Sequence, residues 1–263
     1  MNHDSATAVS LVDVSVRHAN RLLLDGITLA LPRGSFTAVL GPNGAGKTTV
    51  LRLLGGEITQ TSGLRQILGS DPASLDWRAD ARWRRRIGVM PQLAEHKPPV
   101  PLSVREVVAI ARVAQPAPDD DERLTHWIGR LGLAALADRP FQNLSGGEQR
   151  RTHLARVFAQ EPELVLLDEP AGHLDFPAQE ALVRLLHELW RESGVTIVLV
   201  THDLRHLPPG LSHVVLLREG RIVRQGRPEE TLTAEALSET FNRSVEVYQH
   251  RGRWTATAEV SND

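Results

Sequence analysis

The most informative stretch of this sequence is Gly41-Pro42-Asn43-Gly44-Ala45-Gly46-Lys47-Thr48-Thr49. It matches the pattern G-x-x-x-x-G-K-[ST], and it follows a predicted strand and precedes a predicted helix, as that pattern requires. Glycines allow backbone N–H groups to turn toward phosphate oxygens, and the start of a helix adds a positive dipole. The Lys47 ammonium would reach the β- and γ-phosphates of a nucleotide, and the Thr48 hydroxyl would ligate Mg²⁺. A Gly-rich turn that matches by chance is the alternative, which the strand-to-helix context disfavours.

A second motif joins an apolar run to two carboxylates, in Leu164-Val165-Leu166-Leu167-Asp168-Glu169. Such a run is typical of a buried parallel strand, and ligands of open α/β sheets bind at the carboxyl ends of those strands. Asp168 would position Mg²⁺ through water, and Glu169 could polarise the attacking water as a general base. The alternative is an acidic pair that caps the next helix.

A third motif, Leu144-Ser145-Gly146-Gly147-Glu148-Gln149, precedes a helical pattern predicted over Gln149–Gln160. Ser145, Gly146 and Gly147 predict a second anion-binding helix start. Alone, this tripeptide is a weak turn signal, but it stands shortly before the strand that carries the two acids. A simple kinase or a small GTPase does not need a second helix start that binds phosphate.

The composition excludes several classes of protein. The chain has 263 residues, no cysteine, and 30 basic against 32 acidic side chains, so disulfides and thiolate metal sites are impossible. A net charge of −2 provides no basic field for nucleic acid, and we interpret the arginines of the segment 82–86, with Trp77 and Trp83, as a solvated face. No apolar run approaches the length of a membrane span, and the first residues do not resemble a secretory signal. We therefore expect no nucleic acid partner and a polypeptide that does not cross a bilayer.

Strand and helix patterns alternate after the third motif: Leu164–Leu167, a helix over Pro177–Glu192, and Val195–Val200. This β-α-β order predicts an α/β fold with a parallel sheet. Before it, patterns over Val104–Ala114 and Glu122–Leu131 predict helices. The tail returns to strands, with a small hairpin around Gly252.

In the identity and order of these motifs, nearly the whole chain resembles the ATP-binding cassette (ABC) family. The resemblance implies a P-loop NTPase cassette: a mixed or parallel sheet core with an N-terminal antiparallel β-subdomain. It implies a single domain over residues 1–263, with a helical subdomain inserted at about 93–155 and a C-terminal extension at about 236–263. It also implies a head-to-tail homodimer, with ATP and Mg²⁺ between Gly41–Thr49 of one subunit and the signature segment, Ser145 to Glu148, of the other.

Other family positions map onto single residues of this sequence. Gln92 resembles the glutamine that touches Mg²⁺ and links to a partner subunit, so it joins Thr48 and Asp168 as a metal residue. The resemblance also makes it a catalytic residue, with Glu169 and His202. His202 resembles the switch histidine that contacts the γ-phosphate, and Asp175 resembles the D-loop aspartate that crosses the dimer interface. One position departs from the family: His18 occupies the place where an aromatic ring, commonly tyrosine, stacks on adenine. Imidazole offers less stacking area, which predicts weaker adenine packing.

Three segments resemble a branch of the family that imports iron complexes, cobalamin or molybdate; they are Leu102–Val108, Leu207–Gly210 and Leu237–Val247. This resemblance implies two integral membrane permease subunits, a solute-binding protein that acts indirectly, and a place on the cytoplasmic face of the cell membrane. The alternative is a soluble cassette ATPase of an assembly machinery, of the iron–sulfur cluster type, with no transport role. Its nucleotide motifs would be the same, so the nucleotide chemistry does not separate the two.

Overall fold

The computed structural model describes residues 6–72, 81–92, 101–112 and 120–258. Within these ranges the chain forms one mixed sheet, one antiparallel sheet, one hairpin and the helices that cover them. The predicted α/β class, with a parallel core and an antiparallel N-terminal sheet, is confirmed. No helix in the described ranges has both the length and the apolar character needed to cross a membrane.

The central sheet has six strands in the order β5-β6-β7-β3-β8-β9. Their bounds are β3 Phe36–Leu40, β5 Ile87–Met90, β6 Leu164–Asp168, β7 Thr196–Thr201, β8 His213–Arg218 and β9 Arg221–Gly226. All neighbours pair in parallel except β8 and β9, which are antiparallel. Every residue of β3, β6 and β7 is buried, because helices or the second sheet cover both faces, and this explains their continuous apolar runs.

The antiparallel sheet has the order β2-β1-β4, with β1 Thr7–His18, β2 Arg21–Pro32 and β4 Ser62–Ile67. Buried and exposed residues alternate along much of β2, as expected for a sheet with one face on the core. Its inner face, together with helix α1 (Lys47–Leu54), packs on one side of the central sheet in a single hydrophobic cluster. The first helix is therefore held between two sheets.

Helices cover the other face of the central sheet. The bounds of the remaining helices are α2 Ala81–Arg85, α3 Val104–Ala109, α4 Asp120–Arg130, α5 Gly146–Phe158, α6 Phe176–Ser193, α7 Pro228–Thr231 and α8 Ala234–Phe241. Helix α2 is an exception, because its Trp83 packs in the cluster on the side of α1. Helices α3, α4 and α5 contact one another and share buried residues such as Phe158 with the sheet. Helices α3 and α4 and most of α5 lie within the predicted insertion. Residues 93–100 and 113–119 of that insertion are outside the described ranges, and so is Trp77.

The C-terminal part returns to strands. Strands β10 Val245–His250 and β11 Arg253–Ala258 form an antiparallel hairpin, with its turn at Gly252. Arg253 donates to the carbonyl of Arg205 at 2.7 Å and forms an ion pair with Glu180 of α6, so the hairpin is anchored beside the end of β7. Residues 259–263 of the predicted extension lie outside the described ranges, and the domain boundaries stay predictions.

Two helix bounds differ by three residues or more from the sequence prediction. Helix α5 begins at Gly146 and not at Gln149, because Ser145 caps it and compensates for the low helix propensity of two glycines. Helix α3 ends at Ala109 and continues as a 3₁₀ turn over Ile110–Arg112, where the pattern predicted α-helix. In the arginine-rich segment, Arg86 stacks on Trp83 and forms an ion pair with Glu163, so this guanidinium is engaged within the protein.

Candidate nucleotide-binding site

Residues 41–46 of the first motif connect β3 to α1 at the carboxyl end of the central sheet, and we call them the phosphate loop after their predicted role. Gly46 is the N-cap of α1 and has φ +103°, a conformation that favours glycine. A Cβ on Gly41 would lie 2.1 Å from the carbonyl oxygen of Leu217, so this position also requires glycine. Both glycines therefore shape the tight path of the backbone around the helix start.

Lys47 lies under this loop and is 7% exposed. Its Nζ donates hydrogen bonds to the carbonyl oxygens of Gly41 at 2.8 Å and Pro42 at 3.0 Å. Burial lowers the pKa of Lys47, while the carboxylates of Glu169 and Asp168 oppose that shift. The ammonium thus stands between the loop and the two acids at the end of β6.

Asp168 is the last residue of β6 and meets the start of α1. The hydroxyl of Thr48 donates to Asp168 Oδ2 at 2.8 Å, while Oδ1 is buried and has no hydrogen-bond partner among the described residues. Burial raises the pKa of Asp168. A carboxylate oxygen and a hydroxyl suit Mg²⁺, which keeps several waters and shares its ligands with phosphates. The pair fits that role, and no group of three or more acidic or imidazole side chains in the described ranges forms a complete metal site.

Glu169 follows with φ +48°, an uncommon conformation for a residue with a side chain. Its side chain turns toward the end of β7, where His202 Nδ1 lies 2.8 Å from Oε1. His202 is half-exposed, whereas the Glu169 side chain is 10% exposed. The strained turn therefore holds a buried carboxylate beside an accessible imidazole.

These groups line one cleft of about 960 Å³. The predicted residues on its wall are Asn43, Gly44, Gly46, Lys47, Thr48, Thr49, Gln92, Asp168, Glu169 and His202. Gly41, Pro42 and Ala45 belong to the loop without lining the cleft. His18, at the exposed end of β1, is also absent from the wall, where Arg21 and Leu22 of β2 stand instead. The role of His18 in adenine stacking stays a prediction.

The signature segment lies apart from this cleft. Ser145 is the exposed N-cap of α5, and its hydroxyl accepts from the Glu148 N–H while the Glu148 carboxylate accepts from the Ser145 N–H at 2.7 Å. These contacts from Ser145 lower the pKa of Glu148. Asp175 is the exposed N-cap of α6, and Leu174 beside it lies close to Gly146. The structure thus brings the predicted D-loop and signature residues together, outside the wall of their own chain's cleft.

Two buried side chains near the site belong to none of the motifs recognised in the sequence. Arg150 of α5 is 4% exposed and donates to the Gly172 carbonyl at 2.9 Å, which ties the signature helix to the segment after Glu169. His206, also 4% exposed, lines the cleft behind Glu169. Neither position follows from spacing, because each depends on how separate elements pack.

Comparison with known proteins decides the family. A profile of the ABC transporter family matches residues 24–172, which include the phosphate loop, the signature and both acids. The chain belongs to the ABC transporter family. The hemin import ATP-binding protein HmuV of Streptomyces coelicolor is 39% identical over 89% of this chain and 83% of its own length. The ferric enterobactin transport ATP-binding protein FepC of Escherichia coli is 39% identical over 82% of this chain and 80% of its own.

The fold of the cassette agrees with solved structures. An inward-facing metal-chelate type ABC transporter superposes with a TM-score of 0.79 and 26% identity, covering 97% of both chains. ATP-binding subunits of this family are ATPases coupled to transport, and this chain is such a subunit. The predicted fold and the predicted ATPase activity are therefore confirmed.

Proposed function

We propose that two copies of this cassette bind two ATP molecules head to tail and hydrolyse them to drive uptake of an iron-bearing chelate. The observation that supports this proposal is that one chain carries the cleft and the signature segment at separate places. The cleft carries the phosphate loop, Asp168, Glu169 and His202, whereas Ser145 and Asp175 are exposed outside it. A second copy in antiparallel orientation would present its signature segment to the open cleft of the first.

Within that site, each side chain of the cleft has one task. Lys47 and the loop N–H groups bind the β- and γ-phosphates, and Thr48, Gln92 and Asp168 would hold Mg²⁺, which neutralises phosphate charge when bound. Glu169 accepts the proton of the attacking water, and the contact with His202 holds its carboxylate in place. Positioning and charge stabilisation provide most of the rate enhancement in phosphoryl transfer.

The cargo follows from the relatives rather than from the site. The proteins named above serve hemin or ferric enterobactin, and a Bacillus subtilis relative, 29% identical over 91% of this chain, serves iron(3+)-hydroxamate. We assign this cassette to a ferric chelate or heme importer on that basis. It would bind two integral membrane permease subunits at the cytoplasmic face of the membrane and would respond to a solute-binding protein only through them.

The catalytic part is tested with Glu169→Gln. Turnover of ATP should fall by at least about a hundredfold, because general base catalysis contributes that much, while ATP binding persists. With Mg-ATP the variant should elute as a dimer. Glu235→Gln, an exposed acid on α8, is the control and should behave as wild type. Wild-type turnover in Glu169→Gln would refute the base assignment, and a persistent monomer would refute the dimer.

The cargo is tested by deleting the gene and measuring uptake of labelled iron as heme and as ferric siderophores. Loss of one uptake activity, restored by the wild-type gene and not by Glu169→Gln, is the expected result. Undiminished uptake of every iron complex would refute the proposed cargo and favour an assembly role for the ATPase.

A further inference from the structure

A buried histidine stands directly behind the proposed base. His206 ends a short 3₁₀ turn, Leu204–His206, which follows β7. Its ring is on the wall of the nucleotide cleft but is almost wholly buried, and between it and Glu169 lies Thr201, the last residue of β7, which is completely buried. Buried polar side chains of this kind are ordinarily hydrogen-bonded, so their contacts are informative.

The Thr201 hydroxyl connects the two residues. Its Oγ1 lies 3.1 Å from His206 Nδ1 and 3.5 Å from Glu169 Oε2, and it accepts the backbone N–H of Asp203 at 3.2 Å. A hydroxyl has one proton to donate. That proton points either to the imidazole nitrogen or to the carboxylate, and the choice depends on which imidazole nitrogen carries hydrogen.

We propose that His206 is a positioning residue for Glu169: its Nδ1–H donates to Thr201 Oγ1 and thereby directs the Thr201 proton onto Glu169 Oε2. With His202 on Oε1, both carboxylate oxygens are then held from the end of β7 and the residue that follows it. This inference rests on the proposed role of Glu169 as the base.

The surroundings of the His206 ring favour its neutral form, which carries one proton. Burial lowers the pKa of His206; the carboxylates of Asp203 and Glu169 oppose this shift, and His202 and Arg205 add to it. His206 Nε2 lies 4.0 Å from Asp203 Oδ2 and has no hydrogen-bond partner among the described residues. The tautomer with hydrogen on Nδ1 therefore places the donor where an acceptor exists.

Three variants test the proposal in the full-length ATPase. In His206→Leu nothing donates to Thr201 Oγ1 from this side, so the hydroxyl is no longer oriented toward Glu169. The value of kcat should fall about tenfold, which corresponds to the free energy of about one hydrogen bond. KM for ATP should change less than about twofold, since the contacts of Lys47 are untouched. His206→Asn places an amide near the position of Nδ1 and should restore kcat to within about threefold of wild type. Thr201→Val should reproduce the loss, and the double variant with His206→Leu should lose no more than either alone.

His213→Leu is the matched control, because His213 is a partly buried histidine at the start of β8 outside the cleft, and it should keep wild-type kcat. An equal loss in His206→Asn and His206→Leu, or wild-type kcat in Thr201→Val, would overturn the proposal. If His206→Leu does not fold, the kcat values of His206→Asn and Thr201→Val still test the proposal. Turnover retained in Glu169→Gln would instead refute the base, whereas an inactive Glu169→Gln beside a fully active Thr201→Val would refute the role of His206 alone.

Discussion

Two glycine-bearing helix starts in this cassette are built in opposite ways. The start of α1 has Gly46 as its N-cap, offers no side chain to cap the backbone, and has no acid in its first turn. The start of α5 has Ser145 as its N-cap and Glu148 in its first turn, in a reciprocal capping box. The first leaves its N–H groups for an anion, whereas the second satisfies part of its own.

The difference separates intrinsic binding from binding that needs a partner. At α1, the helix dipole, Lys47 and the loop N–H groups converge, so one chain should bind nucleotide phosphates without help. At α5, a carboxylate already occupies the positive end of the dipole and opposes an incoming phosphate. We expect this second helix start to contribute only when another subunit delivers a nucleotide to it.

The largest effect is expected for Lys47→Ala, which removes the cation of the open helix start. ATP affinity should fall at least about a hundredfold, because the Lys47 ammonium is buried at the place proposed for the phosphates. Equilibrium binding of a fluorescent ATP analogue measures it. Arg52→Ala, an exposed cation on the same helix, should bind as wild type. Equal affinity for Lys47→Ala and wild type would contradict the assignment of this helix start.

The next effect concerns the capped helix start and is seen only in dimers. Ser145→Arg, made in the Glu169→Gln background, should leave ATP binding by the monomer within about twofold and abolish ATP-dependent dimerisation. The bulky side chain blocks the contact with the partner's nucleotide. Gel filtration with light scattering distinguishes the species, with Ala135→Arg on an exposed turn as control. A dimer that survives Ser145→Arg would remove this segment from the interface.

A smaller effect tests the competition by Glu148. Glu148→Gln keeps a side chain that can complete the capping box but removes its negative charge. In the Glu169→Gln background, ATP-dependent dimerisation should tighten about threefold, since a charge near a helix end contributes about 0.3–1 kcal/mol. Glu106→Gln is a close control because Ser103 and Glu106 form the same capping box at α3. Weaker dimerisation in Glu148→Gln would show that the carboxylate assists the partner's phosphate.

The smallest effect is expected at the adenine end. His18→Tyr should tighten ATP binding about twofold to threefold if the ring stacks on the base, as aromatic contacts of this kind contribute modestly. Isothermal calorimetry on the monomer measures the change, with Arg21→Ala in parallel. Unchanged affinity for His18→Tyr together with weaker binding in Arg21→Ala would transfer the adenine contact to β2, whose first residues line the cleft.

Local patterns were sufficient for most of the architecture. Continuous apolar runs such as Leu164–Leu167 predicted buried strands, and the glycine spacing around Lys47 predicted a strand, loop and helix in that order. The predicted start of α5 was wrong because the Ser145 cap outweighs the low helix propensity of the two glycines. The helix therefore begins at Gly146. The Arg150 contact to Gly172 was not predictable, since its partners are separated in the chain and meet only through packing.

The linear order of residues was enough to predict the chemistry that we propose for the cleft, because each motif is a short run whose residue types and spacing suit binding phosphate or polarising water. The fold alone decided which groups stand behind those motifs. The contact from His206 through Thr201 to Glu169 joins three positions on two strand ends and a 3₁₀ turn. Such contacts arise when neighbouring parallel strands align their carboxyl ends, a long-range event that leaves no periodic trace in the sequence.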